Sequence, residues 1–446
     1  MDAGNLFYKS ARLGPSLLAQ QRIKAELQAQ AYQLSGLDGF TPGVGDFAIG
    51  VPQALALMDR YELQPLAANL TCGERSFPPT RVVERGGLKV GILGVVDFGD
   101  DAVEGCETSD AAAAAAAAAT SLASAGQADI IVALVQGSEA VQRAVIEAAP
   151  GVDVLINGET RRTFKAAVKS GEATWIVGSG SRGKHLGVLR LEPAEGATGW
   201  SSTDAVAELT RRLDRYKGRL EGAQKKIEQA EADGDEGARK RSERLAESYR
   251  KKITELEAEL ETAREGGGGA ANRLSNEIVD LDSKLKDHPE TQRLVEAALK
   301  RITEAEAGAE VAEPVMGPYA GSARCENCHA AETTQWKTTA HARALASLEA
   351  DERHMDQSCF SCHVTGAFHD AGPKRPAEVP EALHDVGCES CHGPAGEHAE
   401  NPARNSSPSG PVAEAVCVQC HDGVQDEGRF SFADYYPRIV HAPQGH

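Results

Sequence analysis

The sequence lacks the features of two large classes of protein. It contains no run of 18 apolar residues, so no segment is long enough to cross a membrane as a helix. It also lacks an excess of positive charge, because 47 basic residues stand against 66 acidic residues and the formal net charge is −19. Since binding to a nucleic-acid backbone requires a positive surface, neither DNA nor RNA is an expected partner.

The first residues lack an export signal. Met1 is followed by DAGNLFYKS, which has neither a charged n-region nor an apolar h-region. If the protein is exported, we therefore expect its signal to lie upstream of this chain or to have been removed.

Cysteine is scarce before Gly317 and abundant after it. Eight of the ten cysteines and eleven of the thirteen histidines follow this residue. All eight cysteines belong to four copies of C-x-x-C-H. The cysteines are Cys325 and Cys328, Cys359 and Cys362, Cys388 and Cys391, and Cys417 and Cys420, and the histidines that follow each pair are His329, His363, His392 and His421.

C-x-x-C-H is the spacing of covalent c-type haem attachment. Two cysteines three positions apart lie on one side of a helical turn, so both sulfurs reach the vinyl groups of one porphyrin. The next residue directs its imidazole at the iron as the proximal ligand. Zinc ribbons pair two C-x-x-C units without requiring a histidine after each, and a disulfide scaffold would not repeat one pentapeptide. The region is therefore predicted to hold four haem c groups.

Four haems in so short a region must pack close together, which is the arrangement that electron transfer requires. A second histidine on the iron favours electron transfer, whereas an open sixth position permits small-molecule chemistry. The candidate distal ligands are His341, His354, His369, His384, His398, His441 and, as the weakest, the terminal His446.

Three segments around these motifs resemble the tetrahaem cytochrome c family of the c-554 type. They are YAGSARCENCHAAETTQWKTTAHARAL, CFSCHVTG and VGCESCHGPAGEH. The family passes on electrons taken from hydroxylamine oxidation. The resemblance implies that His341, His398 and His441 are distal ligands. It also implies that one haem has no distal ligand from the protein, without indicating which haem this is.

The first 195 residues alternate between predicted strands and helices. Short β-branched runs at 88–96, 129–135 and 152–156 predict buried strands, and 109–125 and 138–149 predict helices. Further strands are predicted at 166–169, 174–177 and 185–191. The pattern indicates an α/β domain.

This region resembles the four-layer metallophosphoesterase domain of 5'-nucleotidases, in the order LQPLAANLTC, GLKVGILGVVD, ADIIVALVQGSEAV, PGVDVLINGETRR and IVGSGSRGKHLGVLRLE. That family binds two metals through Asp, Asn and His side chains. Its first D-x-H motif, on the N-terminal strand, would lie before Met1. The other ligand positions hold Asn5, Val44, Gly45, Gln136, Glu159 and Arg161. We therefore expect a degenerate scaffold without phosphoesterase activity, and the alternative is a repurposed ligand pocket.

Residues 203–306 change abruptly in composition. Apolar residues from Val206 to Ala230 alternate at spacings of three and four, which is a heptad seam. Breaks at 232–237 and 266–269 separate this seam from stripes that begin at Leu245 and Leu274. The pattern predicts an antiparallel helical coiled coil, which serves as a spacer or as an arm for self-association.

Two cysteines, Cys72 and Cys106, lie outside the motifs. In an oxidising compartment they are candidates for a disulfide, and the alternative is a redox-active pair supplied by the haems.

These observations predict three segments: a degenerate phosphoesterase-like domain at 1–195, a helical coiled-coil hairpin at 196–310 and a mostly helical and irregular tetrahaem domain at 311–446. The main hypothesis is an electron carrier that serves redox partner proteins. The alternatives are a haem oxidoreductase acting on a small nitrogen compound and a ligand- or partner-binding module with redox output. Because bacteria attach haem c outside the cytoplasm, we expect a periplasmic or extracellular location.

Overall fold

The computed structural model describes residues 1–8, 13–14, 17–124, 126–158, 163–197, 199–265, 272–308, 313–403, 412–423 and 429–441. The chain divides into two compact units, one formed by Met1–Arg12 and Gln28–Asp287 and the other by Leu13–Leu27 and His288–His446. Helix α1 (Leu18–Ser35) contributes residues to both. No helix in the described ranges is both long enough and apolar enough to cross a membrane.

The first unit is built on sheets. Its strands are β1 (Leu70–Cys72), β2 (Arg75–Ser76), β3 (Thr80–Arg85), β4 (Leu88–Val96), β5 (Cys106–Thr108), β6 (Ile130–Gln136), β7 (Val154–Asn157), β8 (Val168–Ser170), β9 (Thr174–Val177), β10 (His185–Glu192), β11 (Trp200–Ser202) and β12 (Asn272–Asp280). Its helices after α1 are α2 (Val51–Arg60), α3 (Ala111–Ser124), α4 (Glu139–Ala148), α5 (Ala205–Ala232) and α6 (Glu236–Glu265).

The main sheet has the strand order β3-β4-β6-β7-β9-β8. The four central strands are parallel, and β3 and β8 pair with them antiparallel at the edges. All seven residues of β6 are buried, as expected for a continuous apolar run inside a parallel sheet. The predicted alternation of strands and helices over this region is confirmed, whereas the four-layer organisation stays a prediction.

Helices α3 and α4 cover one face of this sheet. The carboxylate of Asp110 accepts the amide N–H of Ala113, and the hydroxyl of Ser138 accepts that of Val141, so each side chain satisfies a free donor in the first turn. In α3, Ala115 and Ala118 pack among the buried strand residues. The alanine run therefore forms part of the core, because its small side chains let the helix lie close to the sheet.

The opposite face of the main sheet contacts a second sheet with the order β10-β12-β11. Strand β12 overturns part of the helical interpretation of residues 203–306, because 272–280 is extended and pairs with β10 along its whole length. The reason lies in the spacing. Leu274 and Ile278 are four residues apart, which suits one face of a helix but also one face of a strand. Leu274 and Asn276 are buried, as the strand period of two requires.

The helices α5 and α6 form a hairpin. Leu213, Leu256 and Leu260 are its buried centre, and Tyr216 and Tyr249 meet edge to face at 6.0 Å. The turn lies at 233–235, where the sequence predicts the first break. The second predicted break, at 266–269, lies outside the described residues.

The second unit contains mostly short helices. They are α7 (Pro289–Ala307), α8 (Ser322–Cys325), α9 (Ala330–Trp336), α10 (Ala344–Ala350), α11 (Cys388–His392), α12 (Gly396–Glu400), α13 (Glu414–Cys417) and α14 (Phe432–Tyr435). Ile23 of α1 packs against Ala298 and Ile302 of α7. The buried carboxylate of Glu306 accepts hydrogen bonds from Gln20 and Gln357, at 3.0 and 2.9 Å.

Candidate haem-binding site

Each C-x-x-C-H segment forms a single tight turn. In the first motif the amide N–H of His329 donates to the carbonyl of Cys325 at 2.8 Å, and His421 repeats this bond to Cys417 at 2.9 Å. The third motif is the whole of α11. This geometry places the two cysteines of a motif on one side and the histidine directly beyond them, as covalent haem attachment requires.

All eight motif cysteines carry free thiols, so none is used in a disulfide. In the part of the chain that the structure describes, no three His, Cys, Asp or Glu side chains converge on a point where they could hold a bare metal ion. Such convergence is what a zinc site needs. The thiols are therefore available for haem attachment.

The motifs contact one another in pairs. The thiols of Cys325 in the first motif and Cys388 in the third are close enough to influence each other's pKa. The same holds for Cys362 in the second motif and Cys420 in the fourth. Four attachment cysteines thus form two close pairs.

Three proximal histidines each face a second histidine. The ring centres are 6.5 Å apart for His329 and His398 and 6.3 Å apart for His341 and His421. An imidazole bound to a metal at about 2.0 Å has its ring centre about 3 Å away, so two rings on opposite sides of one iron lie about 6 Å apart.

The third pair is His392 and His441, whose ring centres are 5.6 Å apart. Burial and then the neighbouring His441 and His329 lower the pKa of His392. Burial and then His421 lower the pKa of His341. Lowered values favour the neutral imidazole, which is the form that binds a metal.

The fourth proximal histidine, His363, has a different environment. Its Nδ1 lies 2.6 Å from the carbonyl oxygen of Ala344 and 3.4 Å from the hydroxyl of Ser347. A histidine that donates Nδ1–H to a backbone carbonyl presents Nε2 to a metal in a fixed orientation.

The remaining distal candidates do not face a proximal histidine. The ring contacts of the described residues pair none of His354, His369 and His384 with one. His369 lies edge-on to Tyr319 at 5.8 Å and accepts the amide N–H of Ala371. Nδ1 of His354 is buried without a partner within the described ranges. The terminal His446 lies outside the described residues.

The second unit has little apolar core of its own around the motifs. Among the described residues after 312, the buried hydrophobic side chains are Tyr319, Leu348, Phe360, Val364 and Leu383. A region of this length normally buries more apolar side chains, and porphyrin rings would add apolar surface to such an interior. The motif turns, the histidine pairs and the sparse core all fit bound haem c.

One phosphoesterase-like ligand position of the first unit is occupied by a side chain that bonds to the backbone. Oδ1 of Asn5 accepts the amide N–H of Gly45 at 2.8 Å. The amide of Gln136 fills the space beside Gly158, where it would clash with an added Cβ atom. Val44 is apolar. Glu159 and Arg161 lie outside the described residues.

Asp46 is fully buried in the same region. Its carboxylate accepts the amide N–H groups of Gly43 and Phe7 at 2.8 and 2.9 Å. Burial raises its pKa to about 7, with Gly43 and Phe7 opposing the rise. Asp46 therefore holds two loops together and does not project into a cleft.

Cys72 and Cys106 form a disulfide. They lie directly opposite each other on β1 and β5, in the small sheet β2-β1-β5.

Sequence reasoning missed one functional candidate. Glu389 lies inside the third motif and is 4% exposed, although Glu326 at the same position of the first motif is exposed. Both motifs begin C-E, so only tertiary structure distinguishes them.

Comparison with known proteins agrees with the motif analysis. Residues 324–393 match the family model described as cytochrome c554 and c-prime. Cytochrome c-554 of Nitrosomonas europaea is 35% identical over 64 residues, which cover 11% of this chain and 27% of that protein. The chain thus spans only a minor part of that relative.

Several solved structures resemble the chain at low identity. Sulfate thiohydrolase SoxB of Thermus thermophilus, in complex with glycerol, is 23% identical with a TM-score of 0.36, over 43% of this chain and 35% of that one. A Staphylococcus aureus protein solved as a 5'-nucleotidase with alpha-ketoglutarate is 14% identical with a TM-score of 0.44, over 90% and 62%. Calcineurin-like phosphoesterase YfkN of Bacillus subtilis is 15% identical with a TM-score of 0.39, over 67% and 83%. The chain therefore resembles cytochrome c554 in its C-terminal region and has phosphoesterases among its structural neighbours.

Proposed function

We propose that the chain is an exported multihaem c-type cytochrome that transfers electrons between redox partner proteins through four covalent haems. The observation that carries this proposal is the set of three histidine pairs at ring separations of 5.6 to 6.5 Å, each pair containing a C-x-x-C-H histidine. Bound haem c supplies reversible one-electron chemistry at its iron.

The residues of the chain have separate roles in this function. The eight motif thiols form the attachment bonds, and four proximal histidines each present one imidazole. Three distal histidines would each occupy the sixth position of one haem iron: His398, His341 and His441. These three haems would then exchange electrons without room for a substrate. Because Cys325 lies near Cys388 and Cys362 lies near Cys420, attachment at these cysteines would place neighbouring haems close together.

The first test is the haem count. The protein matured with its haems is extracted with acidified acetone, and haem is measured as the pyridine haemochrome. We expect four haems to remain on each polypeptide. A count well below four would contradict the proposal.

A second candidate function is a haem oxidoreductase that acts on a small nitrogen compound at His363. The supporting observation is that His363 bonds to Ala344 while no described histidine faces its ring. Turnover of nitric oxide or hydroxylamine, together with one high-spin ferric signal, supports this function. Four low-spin haems would exclude it.

The segment 1–195 is proposed to be a catalytically inactive scaffold or docking module, joined through 196–310 to the haem segment 311–446. The amide and apolar groups at Asn5, Val44 and Gln136 support this, because none of them supplies the carboxylate or imidazole that a two-metal site takes at these positions. A ligand- or partner-binding role with redox output is the alternative. The helical hairpin is proposed as a spacer or self-association arm.

An extracytoplasmic location follows from the attachment chemistry. The Cys72–Cys106 disulfide supports it, since disulfides persist in oxidising compartments. An export signal encoded upstream in the complete gene is the expected finding.

A further inference from the structure

One buried carboxylate in the second unit, on α11, bonds to the residues that precede α8 and α12. Glu389 lies on α11, between Cys388 and His392 of the third motif, and is 4% exposed. A charged side chain is buried only when its acceptors are satisfied, and each oxygen of a carboxylate accepts about two hydrogen bonds.

The first set of donors comes from the chain just before the first motif. The amide N–H of Ala320 lies 2.9 Å from Oε1 of Glu389, and that of Gly321 lies 2.7 Å from Oε2. Gly321 is the residue that precedes α8, and α8 ends at Cys325. The carboxylate therefore fixes the start of the helix that carries the first attachment cysteine.

The second donor comes from the chain just before α12. The amide N–H of Ala395 lies 2.7 Å from Oε1 of Glu389. Ala395 precedes α12, which carries His398, and His398 faces His329 of the first motif. The next residue, Gly396, donates its own amide N–H to the carbonyl of Pro318 at 3.0 Å, so the two segments also bond directly.

We infer that Glu389 is a positioning residue that holds His398 opposite His329, and so sets the axial ligation of the first haem from within the attachment motif of the third. This inference rests on the proposed function. The geometric reason is that α12 has only five residues and cannot hold its own orientation, so its position depends on the bonds at Ala395 and Gly396, of which Glu389 accepts the first. Hydrogen bonds to a charged acceptor are about twice as strong as neutral ones, and several converge here.

The test uses Glu389→Gln in the full haem-loaded chain. The amide keeps the shape of the side chain and one acceptor oxygen, but its NH2 group cannot accept. In either orientation that group opposes a backbone N–H, of Gly321 on one side or of Ala395 on the other, and weakens the contact between the segments. Glu326→Gln is the matched control, because Glu326 has the same motif position, is exposed, and bonds to Lys337 at 2.7 Å. Low-temperature electron paramagnetic resonance counts the high-spin ferric haems.

We expect one high-spin haem per chain in the wild type and in Glu326→Gln, and a twofold rise to two in Glu389→Gln, with four covalent haems retained. His398→Ala should also give two. The double variant of Glu389→Gln and His398→Ala should give two rather than three, because both changes act on one ligand. Three would show that Glu389 acts elsewhere and would overturn the inference.

The outcomes separate this inference from the proposed function. A wild type without one high-spin and three low-spin haems contradicts the ligand assignment itself. A wild type with that pattern and an unchanged Glu389→Gln contradicts only the role of Glu389. If the variant fails to mature, amide hydrogen exchange on the wild type decides. Slow exchange at 320, 321 and 395 supports the inference, and fast exchange at these positions contradicts it.

Discussion

The imidazole Nδ1 of His363 and the carbonyl oxygen of Ala344 are 2.6 Å apart. The bond fixes the ring orientation, so that Nε2 of His363 would be presented to a haem iron. A proximal ligand held in this way keeps its place when the opposite side of the metal is open.

The first prediction concerns this open position. We expect the fully reduced protein to bind one carbon monoxide or nitric oxide per four haems, because the other three positions are closed by His398, His341 and His441. The measurement is a gas titration followed in the haem absorption bands. Uptake of four equivalents, or of none, would contradict the assignment of His363.

The second prediction compares two histidines. His441→Ala should convert one low-spin haem to high spin, because His441 faces His392 at 5.6 Å. His369→Ala should leave all four spin states unchanged, since His369 contacts Tyr319. Electron paramagnetic resonance of the oxidised variants measures both. A spin change in His369→Ala alone would show that the ligand pairs are misassigned.

The sequence predicts the haem motifs well because a C-x-x-C-H turn is local: its geometry depends on five consecutive residues. The partners of the turns are not local. His398 lies 69 positions from His329 along the chain, so spacing alone cannot join them. The resemblance to c-554 cytochromes implies which histidines are distal, and only packing shows which motif each one faces.

The difference between local and non-local information also explains what the sequence fails to predict in the rest of the chain. Strands such as β4 and β6 consist almost entirely of apolar residues, so the sequence predicts them. Strand β12 was not, because a spacing of four is compatible with both regular periods. Glu389 was also missed, since an acidic residue between two cysteines carries no signal of burial.

The third prediction is that the helical hairpin can be shortened without affecting the haems. Leu213, Leu256 and Leu260 bury one another within the hairpin. We therefore expect replacement of 220–248 by a short Gly-Ser turn to leave the absorption spectrum unchanged. The strand 272–280 must be retained, because its loss exposes one face of the main sheet. A shifted haem spectrum would show that the arm contributes to the haem environment.

The same shortened variant tests self-association. Its mass in solution, measured by light scattering at matched concentration, is compared with that of the intact chain. A lower oligomeric state indicates an arm for self-association, and an unchanged state indicates a spacer.

The fourth prediction is that the first unit does not hydrolyse nucleotides. Asn5 and Gln136 offer neutral amides where a two-metal site needs carboxylate and imidazole, and Asn5 is already bonded to Gly45. AMP is incubated with the protein and excess manganese, zinc or cobalt, and released phosphate is measured. Turnover of about 1 per second, the low end of ordinary enzymes, would show that the site is active.

The last prediction is a pH dependence of local stability at Asp46. Burial raises the pKa of this carboxyl group to about 7, against about 3.9 in an unfolded chain. The folded unit therefore holds a proton that the unfolded chain releases, so this stabilisation is complete below about pH 4 and is lost as the pH rises through about 7. Amide hydrogen exchange of 43–47, corrected for intrinsic rates, should show protection that falls across this interval. Asp46→Asn cannot ionise and should show a flat profile over the same range. Burial also raises the pKa of Asp2 and of Asp153, the latter to about 6, so the local readout at 43–47 is needed to isolate Asp46. Protection that rises with pH in the wild type would contradict the prediction.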